Sequence, residues 1–298
     1  MEKERGNEKQ GNNKLGIAQW SIYVNLFLLA VKLAAGIITG SLGIIAEFIH
    51  SFFDLLASVF AYLGIKKAAQ PADKTHHYGH DRFENISSLL QSLLITATSF
   101  IIIYEAYRKM TGGVHVIKES ALGISVMGIT LVLDIYIARY LHKKSDETGS
   151  PALEADAYHF TTDILSTIAV MVGLAAASFG YPIADVLSAI FVALIMLYIS
   201  MRLGKDAVFV MLDRAPDGEI IGQVSGIISK YPKVSGYHSL RARTAGNKAF
   251  IDVCVHLDEN LSLDAAHKIA HALEKKILAE CPDVKEVVIH IEPKCSHD

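Results

Sequence analysis

The sequence predicts an α-helical membrane domain of six transmembrane helices followed by a small α+β domain of order αββαβ. Three observations carry this. The 298 residues are 51% hydrophobic and only 20% charged, against about 25% charge in a soluble domain, and the mean hydropathy is +0.33. Apolar stretches long enough to cross a bilayer, about 20 residues each, recur between short segments of turn chemistry. From about Lys205 the pattern changes to that of a soluble domain.

The six stretches are Ile17–Ile38, Leu42–Ile65, Ile86–Tyr107, Ala121–Leu141, Ala155–Phe179 and Ile183–Met201. Thr39-Gly40-Ser41, Gly112-Gly113, Thr148-Gly149-Ser150-Pro151 and Gly180-Tyr181-Pro182 punctuate them. Met1 to Lys14 is polar with no apolar run, so the first span is expected to be an uncleaved anchor rather than a signal peptide. Residues 1–16 are expected to form a polar tail, 17–205 the membrane domain and 206–298 a cytoplasmic domain.

Basic residues orient the spans. Lys3, Arg5, Lys9 and Lys14 precede the first. Lys66, Lys67, Lys74 and Arg82 follow the second, Lys143 and Lys144 the fourth, and Arg202 and Lys205 the sixth. The loops after spans one and five carry no Lys or Arg; only Arg108, Lys109 and Lys118 after span three dissent. Both termini are expected on the cytoplasmic side of an integral membrane protein, most simply in the plasma (inner) membrane.

In the C-terminal domain, Ile220, Ile221, Val224, Ile227 and Ile228 space a helix that opens near Asp217 and Glu219 and stops at Tyr231-Pro232. Val234–Arg243 and Lys248–Asp258 read as strands around Gly246-Asn247. Ser262 caps a helix over Leu263–Glu280, closed by Pro282, and Val284–Glu292 is a last strand.

Charge and cysteine content narrow the function. A net charge of −3 and a pI near 6.5 argue against a nucleic-acid partner. Three cysteines, Cys254, Cys281 and Cys295, do not make a disulfide framework and suit a reducing compartment. Thirteen histidines direct attention to metals.

Ionisable groups within a span are costly, and they mark function. Span two carries Glu47, His50 and Asp54; span five carries Asp156, His159 and Asp163. Both read acid-x-x-His-x-x-x-Asp, a spacing that puts the three groups on one helical face. Counted at ~1.5 Å per residue from Ser41 and Pro151, Asp54 and Asp163 each lie ~20 Å along their helices, near the bilayer midplane. Two imidazoles and two carboxylates complete an N2O2 tetrahedron suited to Zn²⁺ and poorer for ions preferring oxygen. The plainer alternative is two separate intrahelical His–Asp hydrogen bonds. Glu47 and Asp156 are expected nearer the outer and inner mouths. Asp134 in span four is expected to pair with Lys32 or Asn25, and Gly36 with Gly40 offers a helix-packing contact.

The loop after span two holds Asp73, His76, His77 and His80, of which Asp73, His76 and His80 can bind one ion. The C-terminal domain holds His238, Cys254, His256, His267, His271 and His290 with Glu292. Cys254 and His256 share a strand face, as do His290 and Glu292, and His267 and His271 share a helix face; these pairs favour a further metal site.

Taken together, these residues resemble the cation diffusion facilitator family over nearly the whole chain. The carriers are Gly43 to Ala57 with His50 and Asp54, Ala155 to Asp163 with His159, and Pro71-Ala-Asp73-x-x-His76-x-x-x-His80. Glu47 and Phe48 depart from the family pattern, where smaller residues are usual. The resemblance implies a homodimeric metal/proton antiporter in a lipid bilayer, with a ferredoxin-like cytoplasmic domain that binds metal at the dimer interface. It places ligands at His238, Cys254, His267, His290 and Glu292, with His256 as an alternative to Cys254, and an interface charge pair at Arg82 and Asp213. The His-Asp/His-Asp pairing is similar to zinc-selective members.

The expected activity is Zn²⁺/H⁺ antiport that exports cytosolic zinc, with zinc also acting as a structural or regulatory ion in the cytoplasmic domain. Competing readings keep the fold and change the ion to Fe²⁺, Cd²⁺, Co²⁺ or Ni²⁺, or make the chain a non-transporting metal-binding scaffold. An intramembrane metalloprotease is disfavoured, since no His-Glu-x-x-His occurs, and no enzymatic activity is expected.

Overall fold

The computed structural model describes residues 2–39, 42–112, 121–179 and 183–294. The chain divides into two compact units, Met1–Val208 and Phe209–Asp298. The division falls three residues beyond the expected boundary.

The first unit is built from α1 (Glu2–Thr39), α2 (Leu42–Ala68), α3 (Phe83–Gly112), α4 (Ala121–Thr148), α5 (Pro151–Ser178) and α6 (Ile183–Met211). These helices fall at the six expected spans but run longer. Residues 2–16, expected as a tail, continue α1, because the segment contains no proline and its three glycines, Gly6, Gly11 and Gly16, do not break the helix. Among the described residues, three segments are long and apolar enough to cross a membrane: Asn13–Val31, Phe83–Arg108 and Val186–Met211. Three of the six expected spans therefore meet this measure.

Helix α5 shows how local chemistry fixes an end. Gly149 takes a positive φ of 60°, a conformation glycine adopts without strain. Ser150 Oγ then accepts from Leu153 N at 3.4 Å, and Pro151 begins the helix where its missing N–H costs nothing. Helix α5 packs against α2, α3 and α4, and α1 against α2 and α4. Gly64 allows close approach of α2 and α3, since a Cβ there would strike Ser87, whose hydroxyl donates to Phe60 O at 2.6 Å. Buried apolar residues form two clusters, one around Ile65, Ile137, Leu141 and Phe160, the other around Ile95, Val192 and Met196. Many large apolar side chains face outward, among them Phe27, Phe100, Phe191 and Tyr198.

The second unit is α7 (Gly218–Ser229), β1 (Gly236–Ala245), β2 (Lys248–Leu257), α8 (Leu263–Glu280) and β3 (Val284–Pro293), the expected αββαβ order. The sheet order is β1-β2-β3, with β1 antiparallel and β3 parallel to β2. A parallel pair needs a crossover, which α8 supplies. Ser262 caps α8 by accepting from Ala265 N, and Ile269, Leu273 and Ile277 repeat every four residues on its buried face. They pack with Val224 and Ile228 of α7 on Ile251, Val253 and Val255 of β2. Alternation along β2 therefore turns Asp252, Cys254 and His256 to the opposite sheet face.

Strand β1 carries a register shift between His238 and Arg241, with Ser239 at φ 50°. The bulge absorbs one residue. Tyr237, Leu240 and Ala242 thus all reach the core, while His238 and Arg241 oppose Cys254 and Asp252 and share their face.

Leu273 is fully buried. Leu273→Ala is expected to cost about 2–5 kcal/mol, read in the full-length protein as faster hydrogen exchange of β2 and β3 amides. Unchanged protection of those strands would contradict this packing.

Candidate metal centres

Three clusters of ligand-type side chains close within 4.8 Å among the described residues: Asp54 with His159 and Asp163, Asp73 with His76 and His80, and His238 with His256 and Glu292.

The first lies between α2 and α5. Asp54 comes from α2, and His159 and Asp163 come from successive turns of α5. All three are buried, at 5%, 2% and 8% exposure. His159 Nε2 lies 3.0 Å from Asp54 Oδ1, so a His–Asp hydrogen bond crosses between the helices rather than staying within one. The side chains of His50 and Glu47 lie outside the described residues, as do the Gly36–Gly40 contact, the Lys32 side chain and Cys295. Two carboxylates and an imidazole with ligand atoms within 4.8 Å of one another and little access to water are a group that could hold a cation.

Asp156, expected nearer the inner mouth, is fully buried. Helices α1 and α2 cover it: Ser21 Oγ lies 2.7 Å from Oδ2, and Ser58 Oγ donates to Oδ1 at 2.8 Å. Asn25 Nδ2, considered for Asp134, donates to Ser58 Oγ at 2.7 Å. A second buried group not anticipated from the sequence is Lys14 Nζ, 2.8 Å from Glu84 Oε1, whose other oxygen accepts from Ser150 Oγ. The i, i+4 spacing of Ser21 and Asn25 in an apolar span was the available signal for the first network. No local spacing announced the second.

The loop cluster is organised by Asp73. Its Oδ1 accepts from Thr75 Oγ1 at 2.8 Å and Thr75 N at 2.8 Å and from His76 N at 2.7 Å. The Thr75 hydroxyl first, then these backbone donors, hold the Asp73 carboxyl far below the usual carboxylate range. His80 is buried, and its Nδ1 faces Pro71 O at 3.1 Å. A carbonyl can only accept, so Nδ1 carries the proton and Nε2 presents a lone pair, the arrangement a metal-binding imidazole requires. That Nε2 has no hydrogen-bond partner among the described residues and points toward Asp73 Oδ2 at 3.4 Å. His76 Nδ1 lies 3.4 Å from Asp73 Oδ1. An orphaned buried acceptor between an ionised acid and a second imidazole fits a resident cation. Asp73, His76 and His80 would hold it, and the ion would supply a positive charge that ties the loop together.

Thr75→Val removes a hydroxyl that orients the Asp73 carboxylate. Loop zinc affinity is expected to fall about 10–100-fold, measured by zinc titration of the full-length protein; an unchanged affinity would contradict the placement of Asp73 in the loop cluster.

On the open sheet face of the second unit, His238 Nδ1 and His256 Nε2 stand 2.8 Å apart. Glu292 Oε2 lies 3.7 Å from His238 Nε2 and 4.0 Å from His256 Nε2. His256 opposes Gly236, which has no side chain, so the ring has room to lean toward His238 on the diagonal. The cluster thus takes His256 where family resemblance offered Cys254. Cys254, with one atom beyond Cβ, does not reach it. His267 stacks with His271 on α8 at 6.1 Å and stands apart, while His290 joins only through Glu292 Oε1, at 3.4 Å. Cys281 is buried at the end of α8, where burial, then Glu280 and Asp283, push its thiol up. Arg82 lies in the first unit and Asp213, at φ 59°, in the second.

Long apolar helices beside a buried acid–imidazole cluster are features suited to a membrane protein that handles cations. Residues 18–212 match the cation efflux transmembrane domain and residues 216–294 the cation efflux protein cytoplasmic domain. The chain is similar to the cation-efflux pump FieF of Citrobacter koseri, 34% identical over 274 residues, covering 90% of this chain and 89% of that protein. It is also similar to FieF of Salmonella arizonae, 32% identical over 272 residues, covering 91% and 89%. The metal-bound C-terminal domain of the CzcD transporter from Thermotoga maritima matches 27% of this chain and 93% of its own, at 26% identity and a TM-score of 0.26. The chain belongs to the cation diffusion facilitator family, and is an integral membrane protein of a cation efflux transporter family.

Proposed function

We propose that the chain exports divalent metal cations, zinc first among them, in exchange for protons. The observation that carries this reading is the convergence of Asp54, His159 and Asp163 in a buried cluster between α2 and α5. His50, one turn before Asp54 on α2, is the fourth donor of an N2O2 set that favours Zn²⁺. Six spans with both termini inside give α2 and α5 opposite directions and bring the two half-motifs to one depth. A bacterial inner membrane suits the FieF relatives.

Zinc binding needs ionised carboxylates and neutral imidazole. When zinc leaves, bare carboxylates in a low-dielectric site repel one another, and protons replace the ion. The same groups therefore couple outward zinc movement to inward proton movement. Asp73, His76 and His80 form a second ion site in the loop. His238, His256 and Glu292 form a third, with His290 beside it and Cys254 and His267 as the remaining candidates. In a homodimer, metal at this third site biases the transport cycle by favouring one arrangement of the paired domains. Arg82 and Asp213 are the proposed interface charge pair.

The test is zinc flux into proteoliposomes carrying an imposed pH gradient. Gradient-driven zinc accumulation supports the reading. Stoichiometric zinc binding without flux, repeated across Fe²⁺, Cd²⁺, Co²⁺ and Ni²⁺, would replace it with a scaffold.

A further inference from the structure

Three oxygen pairs around Asp156 close into a triangle. Asp156 Oδ2 is 2.7 Å from Ser21 Oγ, Ser21 Oγ is 2.9 Å from Ser58 Oγ, and Ser58 Oγ is 2.8 Å from Asp156 Oδ1. Each is a hydrogen-bonding distance for an O–H donor. Three such contacts need three protons, and two serines supply two. With an ionised Asp156, both hydroxyls are drawn to the carboxylate, and the 2.9 Å serine pair is left with facing lone pairs. With a neutral acid the count closes. Asp156 Oδ2–H donates to Ser21, Ser21 donates to Ser58, and Ser58 donates to Oδ1. The second lone pair of Ser58 accepts Asn25 Nδ2 at 2.7 Å.

From this geometry we infer that Asp156 is a proton-binding site of the transport cycle, distinct from the metal ligands, holding its proton in a ring with Ser21 and Ser58. The inference rests on the proton-exchange reading above. Its surroundings suit the role. Asp156 is fully buried, and its hydrogen bonds run to serines rather than to any proposed ligand. His159 and Asp163 of its own helix act on it electrostatically. Helix α2 adds Asp54, bonded to His159. Helix α1 presents Ser21 and Asn25, and its Lys14 is committed to Glu84. Helix α4 presents His142, bonded to Thr161 at 3.0 Å. Helix α3 presents Gln91, which donates to Ala152 O.

The ionised form keeps both serine–carboxylate contacts and gives up the Ser21–Ser58 hydrogen bond. When a divalent cation enters the cluster one turn along α5, its charge favours the Asp156 carboxylate. The proton leaves, both serines turn their hydroxyls to the carboxylate, and Asn25 continues to donate to Ser58. When the cation departs, a proton returns and the ring re-forms. Each metal thus displaces one proton beyond those its own ligands release.

The test uses the full-length protein in detergent, with His76→Ala, His80→Ala, His238→Ala and His256→Ala removing the other two clusters. Zinc is added in weak buffer and released protons are counted with a pH dye. Asp156→Asn, of the same shape and unable to ionise, is expected to bind zinc while releasing about one proton fewer per ion. Zinc bound with an unchanged proton count overturns the proposal. A parent that binds zinc and releases no protons overturns the antiport reading itself, and this inference with it. Should Asp156→Asn fail to fold, infrared difference spectra of the parent decide. A carboxylic-acid C=O band that vanishes on zinc addition and shifts in Ser58→Ala supports the ring. The absence of that band, or its indifference to Ser58→Ala, overturns it.

Discussion

Zinc accumulation driven by a pH gradient is expected to fall to background in Asp163→Ala, with the protein still folded and inserted. Asp163 is one of three buried groups whose ligating atoms stand within 4.8 Å of each other. Removing the partners that merely orient a ligand typically costs about 10–100-fold in metal affinity, and removing a ligand exceeds that. The loss of one negative charge from a dry site adds to the effect, since the desolvated cation then faces fewer compensating charges. His159→Ala is expected to match it, because that ring contributes a nitrogen and holds Asp54 at 3.0 Å. Flux in Asp163→Ala within about tenfold of wild type would exclude it as a ligand, by the same scale.

Glu84→Ala is expected to be the most destabilising single change in the helical unit. Lys14 and Glu84 side chains are 8% and 7% exposed, and Glu84 also accepts from Ser150 at the start of α5. The alanine variant leaves an ammonium buried without its counter-charge, a change worth about 3–5 kcal/mol. Thermal unfolding of the detergent-solubilised chain measures it. Lys14→Met combined with Glu84→Gln removes both charges and is expected to recover most of the loss. A double variant no more stable than Glu84→Ala would show that the uncompensated lysine is not the cause.

Much of this architecture was legible in the sequence because its signals are local. Span-length apolar runs mark α1 to α6, and turn residues mark their ends. The spacing of His159 and Asp163 places both on one face, and Asp73, His76 and His80 fall within one short loop. The αββαβ order follows from period and capping alone. What stayed hidden depends on distant segments. Depth along α5 suggested a place nearer the inner mouth for Asp156, and Ser21 and Ser58, from two other helices, decide its burial. The Lys14–Glu84 pair joins residues 70 positions apart, and each alone reads as an ordinary charge at a helix end. That His256 comes together with His238 and Glu292 turns on the bare Gly236 opposite it, a pairing that strand alternation does not reveal.

The bulge in β1 bears on how this chain lines up with its relatives. Between His238 and Arg241 the strand advances three residues while β2 advances two, from Cys254 to Asp252. A relative that lacks one residue here would restore an even count, returning His238 and Arg241 to the same face by plain alternation. A deletion elsewhere in the strand would turn the histidine inward and a core residue outward. Ser239 is thus the position where a one-residue gap in an alignment preserves the ligand face, and gaps placed by similarity score alone will misassign it.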